Sequence, residues 1–146
     1  MSHSDSNALA ALLGGGCLLF VLLGLAIGIG IAVFYILTMQ KALTLAGERH
    51  QKMKPNMVWL MLIPLFNLAW HFIVVKNVSD SIKSWAAENG ASVDDAGYTL
   101  GLITCIAHCC GIIPFINFLA GPVGLVCGIL WWVKIAGFNK VMAAKV

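Results

Sequence analysis

The residues nearest to a reactive site in this chain are Cys105-Ile106-Ala107-His108-Cys109-Cys110. On a helix, Cys105, His108 and Cys109 fall at i, i+3 and i+4 and share one face. Thiolate and imidazole donors suit zinc or copper. A structural zinc site takes four ligands, however, and the polar segments offer no Cys/His pair to complete one. His71 is the other histidine of the apolar stretches, and with His108 it would make a cross-helix pair of the kind that ligates haem iron. The two fall at different estimated depths, which argues against that pairing. The five cysteines, Cys17, Cys105, Cys109, Cys110 and Cys127, all lie in apolar runs and do not form a secreted disulfide framework. Neither a metal nor a cofactor is expected.

A second polar set is Asn67 and Asn117. Ile63-Pro64-Leu65-Phe66-Asn67 is echoed by Ile113-Pro114-Phe115-Ile116-Asn117. Each asparagine follows a proline-interrupted apolar run, where it can cap the backbone groups that proline frees. Paired broken helices at corresponding positions also mark solute or ion sites in transporters. No Asp, Glu, Lys or Arg falls in the same apolar stretches, although ion-coupled pathways use such residues. No nucleophile–base pair or paired carboxylate stands out. Gly14-Gly15-Gly16 lacks the lysine and preceding strand of a phosphate loop. These residues point to a protein that is not an enzyme.

The elements that must position these groups follow from charge. None occurs between Asp5 and Lys41, nor between Asp95 and Lys134. Of 146 residues, 60% are hydrophobic and 10% charged, a composition of integral membrane proteins. The net charge of +3 comes from basic residues scattered beside the apolar runs. That pattern marks membrane topology and lipid contact, not nucleic-acid binding. The expected fold is an all-α membrane bundle of four hydrophobic segments, about residues 8–46, 56–89, 92–113 and 118–143, forming one domain over 1–146. A spanning helix needs about 20 apolar residues, so little chain is left for a soluble domain. The N-terminus lacks the basic region of a cleaved signal, and the first segment is expected to be retained.

Gly47 and Gly90 are natural helix stops. Pro64 is expected to break the second segment, and Gly121-Pro122 the fourth, with the last turn inside Pro114–Pro122. Val78, Ile82 and Trp85 recur at helical spacing, which predicts an interfacial amphipathic extension with Trp85 at headgroup level. Ser92-Val93-Asp94-Asp95 reads as a capping box opening the third helix. If residues 57–75 cross fully, the basic residues divide almost evenly between the two sides. If that segment is re-entrant, all nine share one side, and the positive-inside rule favours this version.

Small residues line three helices: Gly24, Gly28 and Ala32; Gly97, Gly101, Cys105 and Cys109; Ala120, Gly124 and Gly128. Such stripes let helices approach closely in lipid, either within a chain or between chains. The first is the best candidate for an intermolecular seam. The expected partners are the bilayer and other membrane subunits or a second copy.

Gln40-Lys41-Ala42-Leu43, Pro55-Asn56-Met57-Val58-Trp59-Leu60 and Leu62-Ile63-Pro64-Leu65-Phe66-Asn67-Leu68-Ala69-Trp70-His71-Phe72 carry ordered polar landmarks. With Trp132-Val133-Lys134-Ile135-Ala136-Gly137-Phe138 they resemble a set of small bacterial multi-span membrane proteins of unknown function. The resemblance covers about residues 40–140. It implies a compact helical fold in the bacterial inner membrane and transfers no activity. The leading expectation is a non-enzymatic multi-pass protein acting through helix contacts as an accessory subunit or homo-oligomer. The alternative is an oligomeric solute or ion pathway using the Pro64–Asn67 and Pro114–Asn117 breaks, and the third a haem or metal redox subunit.

Overall fold

The computed structural model describes residues 3–145, with side chains from residue 15 onward. The described chain is all-helical: α1 (His3–Ala46), a 3-10 helix (Pro55–Leu62), α2 (Pro64–Glu88), α3 (Tyr98–Cys110) and α4 (Pro114–Ala143). Two stretches, Gly15–Ala46 and Pro114–Ala143, are long and apolar enough to cross a membrane. The chain divides into two compact units, Met1–Phe34 and Tyr35–Val146.

In the first unit, residues 17–34 are apolar on every face of the helix. Leu18, Phe20, Leu23, Ile27 and Ile31 are all more than half exposed. A helix apolar all round is stable only inside protein or lipid.

The second unit has a core of its own. Ile36, Met39 and Leu43 from α1 meet Val74, Val75, Val78 and Ile82 from α2 and Trp131, Ile135 and Met142 from α4. Two hydrogen bonds fasten α4 to α1: Trp132 Nε1 donates to Thr38 Oγ1 at 2.8 Å, and Asn139 Nδ2 to the Thr38 carbonyl at 2.9 Å.

The helix ends follow local chemistry. Gly47 (φ 77°) and Gly90 (φ 62°) take the left-handed conformation that ends α1 and α2. After Gly90, the Ala91 N–H returns to the Ala86 carbonyl at 3.0 Å, closing a Schellman motif. Pro64 and Pro114 each open a helix, where a missing N–H is harmless. The residue before proline must be extended, and Ile63 (φ −84°, ψ 109°) and Ile113 (φ −90°, ψ 116°) are nearly identical. The sequence echo is therefore a repeated local geometry.

Four expectations need correction. The third helix begins at Tyr98, not Ser92, and no side chain caps it at Gly97. Asp95 does related work, accepting 2.9 Å bonds from the Gly97 and Thr99 N–H groups. The fourth helix begins at Pro114 and runs through Pro122. The last turn is thus residues 111–113, and Pro122 leaves the Phe118 carbonyl without its helical donor. Trp85 is 6% exposed and packs in the protein core. The amphipathic extension is the second half of continuous α2, and its apolar face finds protein. Finally, the two asparagines do not cap: neither helix start has a side-chain cap bond.

Small residues set the approach of α3 to α4. A Cβ on Gly97 would lie 3.0 Å from Trp131 Cδ1, on Gly128 3.3 Å from Thr104 Cγ2, and on Gly124 2.9 Å from the Ala107 Cβ. A Cβ on Gly101 would meet Val75 Cγ1 at 2.5 Å and Trp131 Nε1 at 3.0 Å. The pair is antiparallel, stepped at Gly97–Trp131, Thr104–Gly128 and Ala107–Gly124.

Polar contacts gather at one end of the second unit. Arg49 and His50 bind Glu88 at 2.7 and 2.8 Å. The Lys52 N–H donates to Ser81 Oγ, and Lys145 Nζ to the Asn89 carbonyl. Lys134 pairs with Asp94 and Asp95 at 2.8 and 3.0 Å. The 47–54 loop, the 89–97 loop and the end of α4 therefore meet.

Two outcomes test this packing. Gly101→Leu should destabilise the protein in detergent by about 1–3 kcal/mol through overpacking, read as a lower melting temperature. Partial burial pushes the Asp95 carboxyl up, but bonds from Thr99, Lys134 and Gly97 outweigh it and hold Asp95 well below the usual carboxylate range. Its contribution is present above the unfolded value near ~4 and is lost as pH falls through the folded value. Asp95→Asn should flatten that acid limb of a melting-temperature profile.

Candidate functional site

The polar groups of the apolar interior converge on one cluster in the second unit. Tyr35 in the last third of α1, His71 on α2, His108 on α3 and Trp131 on α4 bring one ring each. The Tyr35 hydroxyl and His71 Nε2 are 2.8 Å apart. The His71 and His108 ring centroids lie 5.8 Å apart, tilted by 58°. Trp131, fully buried, contacts Tyr35 at 5.5 Å and His71 at 5.9 Å between centroids. His71 is 7% exposed.

This overturns the estimate that His71 and His108 sit at different depths. The antiparallel run of α2 against α3, with Val75 beside Gly101 and Ser79 Oγ 3.3 Å from the Ala96 carbonyl, brings the rings level. Cys105 is buried one turn before His108, and Cys109 is partly buried. Among the described residues, no three His, Cys, Asp or Glu side chains group as metal ligands. The paired imidazoles are one donor short of the three that catalytic zinc sites take from protein.

The backbone settles the tautomer of His108. Its Nδ1 lies 2.8 Å from the Thr104 carbonyl, which only accepts, so Nδ1 carries the proton. In the neutral ring, Nε2 is a bare acceptor. His108 lines a groove of about 480 Å³ with Ala107, Gly111, Asn117, Gly121 and Gly124 among its walls. Ala120 lines it too. Asn117 is exposed there, and no side-chain hydrogen bond ties it to the described residues. Asn67 lies in the first turn of α2, with Oδ1 buried and without a partner. The two asparagines thus have equivalent backbone positions and different surroundings.

The small-residue stripes also separate. Gly97, Gly101, Gly124 and Gly128 serve contacts inside the second unit. Gly24 and Gly28 have nothing within 4 Å of an added Cβ. Ala32 is partly buried.

One arrangement escapes the sequence reading. Ser84 Oγ lies 3.0 Å from His50 Nδ1, and His50 Nε2 lies 2.8 Å from Glu88 Oε2. Hydroxyl, imidazole and carboxylate follow the order of a hydrolase triad. Ser84, however, sits inside α2, where neighbouring N–H groups are spent on the helix and cannot hold an oxyanion. The trio is better explained as a clamp fixing the 47–50 turn on α2. The only local signal is the Ser84/Glu88 spacing of four, since His50 comes from another segment.

Tyr35→Phe tests the ring cluster. It leaves His71 Nε2 buried without its hydroxyl partner, and a loss of about 1–3 kcal/mol in stability is expected by denaturant or thermal unfolding. Compared with known proteins, the chain matches no family model, no curated protein and no solved structure.

Proposed function

We propose that the chain is a non-enzymatic multi-pass membrane protein whose first helix associates with a transmembrane helix of a second copy or of another membrane subunit. The observation that carries the reading is the contrast between the two sets of glycines. Gly97, Gly101, Gly124 and Gly128 are occupied by internal contacts, whereas Gly24 and Gly28 face open space on an exposed apolar helix. In lipid, close packing at small residues is a principal drive for helix association.

The topology belongs to the same proposal. The segment between the 47–54 and 89–97 loops starts and finishes at one end of the second unit, so residues 57–75 re-enter. Re-entrant backbone requires protein cover, and Val58 and Met61 of the 3-10 helix are buried. All nine basic residues then belong to one side, which the positive-inside rule makes cytoplasmic. The resemblance to small bacterial membrane proteins supports an inner-membrane location.

Gentle solubilisation from native membranes, followed by identification of co-purifying chains, tests the reading. A Gly24→Leu, Gly28→Leu double variant should lose its partner or oligomer by roughly tenfold or more while keeping the wild-type melting temperature. A strictly monomeric wild type, indifferent to both substitutions, would refute it.

A further inference from the structure

The groove between the second half of α3 and the first half of α4 holds two polar groups that the helix-contact reading does not use. We propose that it binds the head of a neutral, hydroxyl-bearing lipophile of the hydroquinone class, which donates a hydrogen bond to His108 Nε2 and accepts one from the Asn117 amide. The inference rests on the membrane reading above, because the exposed apolar side chains of Ile112 and Leu125 line the groove.

Charge, hydrogen bonding and shape select the ligand. No Lys, Arg, Asp or Glu lines the groove. Lys134, paired with Asp94 and Asp95, lies at the opposite end of α3. A phosphate or carboxylate head would enter without a counter-charge, so a neutral head is required. A bare acyl chain would leave the His108 acceptor and the Asn117 amide unsatisfied.

Because Nδ1 of His108 is committed to the Thr104 carbonyl, Nε2 needs a donor. A hydroxyl supplies one, and a quinone carbonyl does not. Asn117 serves either, since its amide both donates and accepts. The discrimination therefore lies with His108. The lining is small: Asn117 Oδ1 lies over Gly111 and Gly121, and the Ala107 methyl faces Gly124. An apolar cavity of about 150 Å³ holds benzene, so about 480 Å³ admits a substituted ring and the first carbons of its tail.

The test uses the full chain in phosphatidylcholine nanodiscs, with ¹⁵N-labelled histidine. Decyl-hydroquinone, decyl-quinone and monodecanoylglycerol are titrated separately while the His108 Nε2 resonance is followed. The expected result is saturable binding of decyl-hydroquinone about fivefold or more tighter than decyl-quinone. Gly121→Leu should abolish binding by filling the groove. Asn117→Leu should weaken it by about fivefold or more, read from equilibrium dialysis, as should His108→Phe. The last two alter exposed positions and should keep the wild-type melting temperature, which separates lost binding from lost folding.

Saturable monodecanoylglycerol binding with the same dependence on His108 and Asn117, and tighter than decyl-hydroquinone, supports the hydroxyl-headed site and assigns its source to glycerolipid. Absence of saturable binding, equal affinity for quinone and hydroquinone, or indifference to Gly121→Leu overturns the proposal. The helix-contact reading has a separate readout: its variants at Gly24 and Gly28 leave the groove untouched, so either idea can fail alone.

Discussion

The second unit depends on one steric permission: the α3 backbone must come close enough for the Trp131 indole to lie against Gly97 and Gly101. A single added carbon at Gly101 would overlap Val75 as well as approach the indole. Once Trp131 is seated, its ring organises Tyr35 and His71, and the neighbouring Trp132 reaches Thr38. Three helices and the interior hydrogen bonds are thus arranged around a space created by missing side chains. The Trp131 Nε1 is left without a hydrogen-bond partner, which shows that shape outweighs polarity at this point.

The same economy of side chains has opposite results along the α3–α4 pair. Near Tyr98, a large indole fills the room that glycine leaves. Near Gly111, Asn117 and Gly121, nothing of comparable size occupies it, and a groove results. The polar residues follow this gradient. Ion pairs and loop clamps hold the end bearing Glu88, Asp94 and Asp95, while His108 and Asn117 line the groove at the other.

Much of the architecture could be read from residues whose effect is local. Gly47 and Gly90 stop helices because they alone adopt positive φ without strain. Pro64 also acted as expected, and Gly97, Gly101, Gly124 and Gly128 pack against neighbours inside the second unit. Features decided by competition between neighbours were harder. Pro114 and Pro122 are both potential breaks, and only the first lies where a helix can begin. Ser92 offered a good cap, yet the left-handed turn at Ala96 and Gly97 delayed the helix and passed the task to Asp95. The level pairing of His71 with His108, and of His50 with Ser84 and Glu88, depends on register between distant segments. No short window of sequence contains that register.

The distribution of clamps also has a mechanical consequence. The α3–α4 pair is tied at both ends: Lys134 binds Asp94 and Asp95 at one, and the three-residue turn 111–113 joins the helices covalently at the other. Parting them beside that turn would strain its backbone bonds, from the Gly111 N–H to the Ala107 carbonyl and from the Ile113 N–H to the Cys110 carbonyl. The groove at Ala107 and Gly124 is therefore framed by a closed loop of chain, not by two free tips.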